Sequence, residues 1–200
     1  KLDYQFSGTM PGSGPFTIWD AEDDPNLWRS RTKGQPFFGV INFMETHESG
    51  LFPPLGSKPN SLMDFAIQLM VRFSGRVKGD PINPDHVNVP PYYLNNEIVR
   101  KDIAKHYQNI NGMDRLVGEI MDRLEADGLL ESTIIIWTTD HGDCLPRGKR
   151  ELYDTGIKVP MVIRWPERHR PEGKAAGDID NRLISFVDFA PTLLELAKAP

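Results

Sequence analysis

The chain has 200 residues, 39% of them hydrophobic and 26% charged, which is enough apolar material for one sizeable core. Its formal net charge of −5, without any run of basic residues interleaved with aromatics, gives no electrostatic reason to expect a nucleic-acid partner. No apolar run approaches the roughly 20 residues needed to span a bilayer. The single cysteine, Cys144, excludes an internal disulfide and a cysteine-rich zinc site.

The first half of the chain is predicted to be rich in loops. Prolines and glycines concentrate in residues 8–15 and 50–60, and irregular stretches this long usually carry function or belong to a larger structure. The apolar run QPFFGVINF at 35–43 predicts a first strand, followed by a polar cluster that contains His47. Apolar residues at helical spacing favour a short helix over 61–73.

The second half alternates between apolar runs and helical patterns. An apolar stripe predicts a long amphipathic helix from the Asn95-Asn96 pair, either of which is a good N-cap, to the neighbourhood of Gly128. The β-branched runs at 133–139 and 158–166 predict two strands buried on both faces, and 185–197 predicts a closing helix. This order of strands and helices is an α/β plan.

Polar residues follow the strand predicted at 133–139. Asp140, His141 and Gly142 come directly after it, and Lys149 precedes the next strand. Ligands collect beyond the carboxyl ends of strands in open α/β sheets, so this stretch predicts a site. Taken singly, these residues and His47 are equally compatible with ordinary polar or basic turns.

The ordered set of motifs is more specific than any member of it. It comprises a strand leading to His47, the helix with HYQNINGMDRLVGEIMDRLEADG, the segment TIIIWTTDHG, the lysine of RGKRELYD, and LISFVDFAPTLLELA. From Pro36 to Ala197 this set resembles the sulfatase family of the alkaline-phosphatase superfamily. The stretches VPPYYLNNEIVRKDIAKHY and LPRGKRELYD are most similar to the sulfamidase branch, which cleaves N-sulfated glucosamine.

The resemblance implies an alkaline-phosphatase-like mixed sheet flanked by helices and incomplete on its N-terminal side. Residues 1–200 are then expected to form part of a sulfatase catalytic domain. Within it, 36–47 and 93–200 match the family core, whereas 1–35 and 48–92 are loop-rich.

The resemblance also implies roles for four residues. Asp140 and His141 match the pair that closes the family's metal site, His47 matches the histidine that contacts the sulfate or the leaving group, and Lys149 matches the lysine that binds a sulfate oxygen. His47, His141 and Lys149 are therefore expected to bind substrate, and His47 and Lys149 are also expected to be catalytic. The division is chemically reasonable because a sulfate ester needs fixed positive charge around its oxygens and a proton donor for the departing group.

The metal is expected to be divalent, with Ca²⁺ as first choice and Mn²⁺, Mg²⁺ or Zn²⁺ as alternatives. The carboxylate of Asp140 suits Ca²⁺ or Mg²⁺. An imidazole at His141 does not suit calcium, so either this ring donates a hydrogen bond to substrate or the metal is softer.

The family's nucleophile is a formylglycine made from the cysteine of a Cys-x-Pro-x-Arg motif. In this sequence the arginine of Cys144-Leu145-Pro146-Arg147 comes one position too early and the motif follows the metal pair, so Cys144 is interpreted as a loop residue. The formylglycine is expected in an N-terminal part of the same domain that lies outside this sequence. The 200 residues alone are expected to be inactive.

The predicted function is hydrolysis of a sulfate ester or N-sulfate on a sugar or related small molecule. Two alternatives stay open: a phosphonate or phosphate ester hydrolase of the same superfamily, and a non-catalytic module that binds sulfated glycans. The expected partners are a sulfated small molecule or glycan and the remainder of the domain. The resemblance implies a periplasmic, secreted or lysosomal location.

Overall fold

The computed structural model describes residue 20 and residues 27–198, and these contain four α-helices and two β-strands. The elements are α1 Leu62–Phe73, α2 Glu97–Ala126, β1 Ile135–Thr138, α3 Asp154–Ile157, β2 Met161–Arg164 and α4 Phe189–Ala197. Single 3₁₀ turns form at Leu27–Ser30, Glu48–Gly50, Pro84–His86, Leu130–Ser132, Glu167–His169 and Phe186–Asp188. None of the described helices is both long enough and apolar enough to cross a bilayer.

The chain divides into two compact units. The first contains the described residues up to Arg123 together with Thr139–Pro160, and the second contains Leu124–Thr138 together with the described residues from Met161. All four sequence-predicted site residues belong to the first unit.

The long helix α2 has local signals at both ends. The Asn96 side chain accepts a hydrogen bond from the Val99 amide at 3.0 Å, as an N-cap does. Gly128 adopts a left-handed φ of 69°, and the Leu129 amide then donates to the Leu124 carbonyl at 2.8 Å, which ends the helix. The predicted helix is thus confirmed over nearly its full length.

The core of the first unit lies against one face of α2. Ile103 and Ala104 of that helix are 2% and 4% exposed and pack with Val87. Partly buried side chains surround them, among them Tyr93 and Leu145. Because Leu145 follows the predicted metal pair, this core anchors the loop that carries the site.

The short helix α1 confirms the prediction for 61–73. The Ser61 hydroxyl accepts from the Asp64 amide at 3.0 Å, which satisfies one of the free donors in the first turn. Its Gln68 is buried, and the amide nitrogen of that side chain donates to the Ser57 carbonyl at 3.3 Å.

The second unit contains the sheet. Strands β1 and β2 pair antiparallel, with Ile135 opposite Arg164 and Thr138 opposite Met161. Arg164 also donates to the Leu130 carbonyl at 2.8 Å and pairs with Glu131, which ties the strand to the segment preceding β1. The closing helix α4 follows a capping box between Ser185 and Asp188.

Two sequence expectations about strands are wrong. Residues 35–43 form no strand, and their side chains are largely exposed, with Phe38 at 61% and Val40 at 49%. The runs 133–139 and 158–166 do contain strands, but those are not buried on both faces, since Val162 is 61% exposed. Among the described residues the sheet contains only β1 and β2, so residues 35–43 have no strand to pair with and the sheet is too small to be covered on both faces.

The fold class is α/β, as predicted, with helices and a small sheet. The assignment of residues 1–200 to one partial catalytic domain stays a prediction, and most of the loop-rich stretch 1–35 lies outside the described residues.

Candidate active site

The segment after β1 forms a closed loop, residues 139–157, called here the glycine loop. The Gly142 amide donates to the Gly156 carbonyl at 2.9 Å, and the Lys149 amide donates to the Asp143 carbonyl at 2.6 Å. A Cβ at Gly142 would overlap the Thr155 carbonyl oxygen, so only glycine fits there. These contacts hold the predicted metal pair and Lys149 in one compact piece of backbone.

A second segment, the histidine turn of residues 45–50, carries His47. The Nδ1 atom of His47 lies 2.7 Å from Ser49 Oγ and accepts a hydrogen bond from the Ser49 amide at 3.3 Å. Because an amide N–H can only donate, Nδ1 of the neutral ring must be the unprotonated nitrogen. The ring proton therefore lies on Nε2.

Ser49 is held in turn by the side chain of Arg76. Ser49 is 3% exposed, and its Oγ accepts from Arg76 Nη2 at 2.6 Å, which leaves the hydroxyl proton for His47. The Nε and Nη1 atoms of Arg76 are buried without a hydrogen-bond partner, and burial lowers the pKa of this guanidinium. Buried Glu45 accepts from the Val77 amide at 3.2 Å and so fixes the backbone beside Arg76.

Glu48 joins the histidine turn to the glycine loop. Its carboxylate lies 3.5 Å from Lys149 Nζ and 2.9 Å from Arg150 Nη2, although 102 residues separate Glu48 from Arg150. The hydrogen bond from Arg150 lowers the pKa of Glu48 against the opposing effect of desolvation. The structure thereby brings His47 and Lys149, predicted separately from the sequence, to the same place.

The electrostatics of this place keep His47 neutral. Partial burial lowers the pKa of His47 from its usual 6.5, and the positive charge of Lys149 lowers it further. Glu48 and Asp140 act in the opposite direction without reversing the shift. Near neutral pH the ring therefore presents Nε2–H as a hydrogen-bond donor.

In the predicted metal pair, the histidine has the tautomer opposite to that of His47. His141 Nδ1 lies 2.8 Å from the Gly142 carbonyl oxygen, which can only accept, so Nδ1 carries the proton and Nε2 has a free lone pair. That Nε2 lies 3.6 Å from Asp140 Oδ1. Because the backbone carbonyl holds Nδ1–H, Nε2 of His141 is left available to accept a ligand bond beside the Asp140 carboxylate.

The pair makes up only part of a metal site. Among the described residues, no group of three or more histidine, cysteine or acidic side chains could hold a metal ion. Asp140 and His141 fit a divalent cation as two neighbouring ligands, and further ligands would have to come from elsewhere.

Cys144 has the environment of a structural thiol. It is partly buried, and burial raises the pKa of its thiol from 9.0. A raised thiol pKa reduces the thiolate fraction, so the local chemistry agrees with a loop role.

The remaining histidines and Asp114 lie apart from these contacts. His106 on α2 is 9% exposed, and burial lowers its pKa. His86, His169 and Asp114 are exposed.

Sequence reasoning missed three supporting residues, Ser49, Glu48 and Arg76. The polar cluster after residues 35–43 was a signal for the first two. No pattern signals Arg76, because its contact with Ser49 spans 27 residues of irregular chain.

Comparison with known proteins identifies the family. The sulfatase family model matches residues 23–199, and the chain belongs to the sulfatase family. An ulvan-active sulfatase of Formosa agariphila is 41% identical over 210 residues, covering 98% of this chain and 33% of that protein.

Two mammalian relatives match over shorter stretches. Human N-sulphoglucosamine sulphohydrolase is 31% identical over 118 residues, or 59% of this chain and 23% of that protein. Bovine N-acetylglucosamine-6-sulfatase is 35% identical over 98 residues, or 46% of this chain and 16% of that protein. The chain thus spans a third or less of the length of these relatives.

Proposed function

We propose that this chain supplies one wall of the active site of a sulfatase that hydrolyses a sulfate ester or N-sulfate on a sugar. The observation that carries the proposal is the contact of Glu48 with Lys149 and Arg150, which gathers a histidine and a lysine from distant parts of the chain. Family membership supports the reaction class. The names of the relatives given above indicate that those proteins act on sulfated sugars.

His47 and Lys149 have distinct roles in this proposal. Lys149, whose side chain is 20% exposed, binds a sulfate oxygen with its ammonium group. His47 donates a hydrogen bond from Nε2 to the departing oxygen or nitrogen, because its Nδ1 is occupied by Ser49. Positive charge and a donor at the leaving atom are what cleavage of a delocalised anion requires.

Asp140 and His141 would hold a divalent cation. When bound, such a cation would polarise the sulfate group and offset its negative charge. The Asp140 oxygen fits Ca²⁺, the first choice from the sequence, whereas the free Nε2 lone pair of His141 favours Mn²⁺ or Zn²⁺. The same tautomer argues against His141 donating a hydrogen bond to substrate from Nε2.

The nucleophile, a formylglycine, is proposed to come from sequence outside these 200 residues. The mismatch of Cys144-Leu145-Pro146-Arg147 with the Cys-x-Pro-x-Arg motif supports this, as does the greater length of the relatives. Activity is accordingly proposed for the full-length protein, acting in a periplasmic, secreted or lysosomal compartment.

Two measurements on the full-length protein test the proposal. We expect 4-nitrophenyl sulfate to be hydrolysed at least 100-fold faster than 4-nitrophenyl phosphate. Dominant phosphate or phosphonate turnover would overturn the sulfatase assignment. Binding of sulfated sugars without turnover of any ester would instead favour the glycan-binding alternative.

The metal assignment has its own test. Asp140→Ala should abolish stoichiometric metal binding, measured by mass spectrometry of the dialysed protein, and lower kcat at least 100-fold. Asp114→Ala, the same change at an exposed position on α2, is the control. His141→Asn should shift metal preference toward Ca²⁺, because it replaces a ring nitrogen with a carbonyl oxygen; unchanged metal content in both site variants would refute the assignment.

A further inference from the structure

Arg147 of the glycine loop lies between two tyrosine rings. Its guanidinium carbon is 5.1 Å from the ring centroid of Tyr92 and 4.8 Å from that of Tyr153. Both contacts are within the range of cation–π attraction, so the two rings restrict the position of the guanidinium group.

The backbone at this position is also held. Arg147 has φ of 69°, in the left-handed region that non-glycine residues rarely occupy. The Thr155 hydroxyl donates to the Arg147 carbonyl at 2.6 Å, and the Tyr93 hydroxyl donates to the adjacent Pro146 carbonyl. Strained backbone persists only where its surroundings over-determine it, and such positions cluster at ligand sites.

The charge of Arg147 has no counter-charge in the part of the chain that the structure describes. The other two basic residues of this stretch, Lys149 and Arg150, share the carboxylate of Glu48. No carboxylate pairs with Arg147, and its guanidinium N–H groups have no hydrogen-bond acceptor among the described residues. A guanidinium group that is held in place and has free N–H donors along its edge is suited to bidentate binding of an oxyanion.

A cleft of about 360 Å³ opens beside this arginine. Its lining is Tyr92, Arg147, Leu152, Tyr153, Asp154 and Thr155. Leu152 is 90% exposed and Tyr153 49% exposed, so apolar surface is presented to solvent within the cleft. Apolar walls with a few polar groups are typical of small-molecule sites, and the Asp154 carboxylate can accept hydrogen bonds from hydroxyl groups.

We propose that this cleft binds the sugar unit next to the sulfated one, and that Arg147 binds an oxyanion carried by that unit. The assignment of the neighbouring sugar rests on the proposed sulfatase function. Chain geometry supports it, because two residues span at most about 7 Å and the backbone of Arg147 therefore lies close to that of Lys149. The oxyanion is a carboxylate or a second sulfate. Each presents a pair of oxygen atoms that a guanidinium can bind through two parallel hydrogen bonds.

The test uses the full-length protein and four substrates. They are 4-nitrophenyl sulfate and three disaccharides that carry the same scissile sulfate and differ only in the neighbouring sugar, which is a uronic acid, its carboxyl-reduced form or a sugar with a second sulfate. Arg147→Met should lower kcat/KM about tenfold for the two disaccharides with an anionic neighbour and less than twofold for the other two substrates. The disaccharide that loses more identifies carboxylate or sulfate as the anion.

Arg72→Met is the matched control. It removes the same charge from an arginine that also lies over an aromatic ring, Phe73, at 5.6 Å. It should change none of the four kcat/KM values. Arg147→Lys, which keeps the charge but not the planar fork, should show the same selective loss to a smaller degree, and it replaces the methionine variant if that variant does not fold.

The outcomes separate the two proposals. Equal loss on all four substrates, or no loss on the anionic pair, would overturn the cleft assignment. If the wild type hydrolyses none of them, the proposed function fails, and calorimetric binding of the uronic acid disaccharide then decides the cleft. Binding that Arg147→Met weakens and Arg72→Met does not would support the cleft, whereas equal binding by both variants would remove it.

Discussion

The glycine loop and the apolar segment at 36–43 show opposite relations between composition and structure. The loop contains little regular structure and is polar, yet its backbone is closed by hydrogen bonds from Gly142 to Gly156 and from Lys149 to Asp143. The segment is strongly apolar, yet it forms no strand and exposes Phe38 and Val40.

The difference shows which interactions each region needs. The loop is closed by hydrogen bonds between its own residues, so most of the partners of its backbone lie within the same segment. A strand needs a neighbour for its backbone groups, and the described part of the chain provides none for the apolar segment. Large exposed apolar side chains in a contiguous run are typical of an interaction surface, and we expect further sequence of the full-length protein to cover this one.

The largest predicted effect comes from a substitution that disrupts the glycine loop. Gly142→Ala in the full-length protein should lower kcat/KM more than 100-fold, because the added Cβ overlaps the Thr155 carbonyl and displaces the metal pair. Gly118→Ala on α2 is the matched control, since nothing lies within 4 Å of its added Cβ and alanine favours a helix by about 1 kcal/mol. Steady-state kinetics and thermal unfolding check both, and a fully active Gly142→Ala would contradict the loop's role.

The second prediction concerns the apolar segment. If further sequence of the full-length protein covers Val40, Val40→Asp should lower the free energy of unfolding by about 2–4 kcal/mol, because the substitution would then bury a carboxylate without a partner. Denaturant unfolding measures it. Hydrogen exchange should show protected amides at 36–43 and fast exchange at the exposed residues 172–178; equally fast exchange in both segments would show that the segment stays uncovered.

The smallest effect concerns the support behind His47. Ser49→Ala should lower kcat about tenfold with little change in KM, because Nδ1 loses its hydroxyl partner and only the 3.3 Å bond from the backbone amide of residue 49 still orients the ring. The pKa of His47 should rise, since the variant loses the hydroxyl hydrogen bond to Nδ1 that favours the neutral ring. As the pH is lowered, activity that needs the neutral ring should therefore be lost at a higher pH in Ser49→Ala than in the wild type.

The pH profile of kcat separates this role from a structural one. Ser49→Thr should restore the profile, and Ser74→Ala, at an exposed serine at the end of α1, should leave it unchanged. A uniform drop in activity without movement of the acid limb would show that Ser49 only stabilises the fold.

The sequence predicted what depends on local signals. Both α1 and α2 carry their periodicity and their caps, Ser61 and Asn96, within the segment itself. The polar residues after β1 were identified because their order along the chain is characteristic of a family, and the sulfatase family match agrees with that identification. The sequence could not predict contacts between distant segments.

Glu48 is the clearest example of what the sequence could not provide. Its bond to Arg150 crosses 102 residues, and no periodicity or spacing encodes such a pairing. The same limit explains the failed strand at 35–43, which had the right composition but lacks a partner among the described residues.

The central claim is that His47 and Lys149 act together on one sulfate group. The most direct test is a double-mutant cycle with His47→Gln, Lys149→Met and the double variant, measuring kcat/KM for a sulfate ester in the full-length protein. We predict that each single change costs at least 100-fold and that the double variant is less than tenfold worse than the poorer single one. Strictly additive losses, or full activity in either single variant, would contradict a shared site.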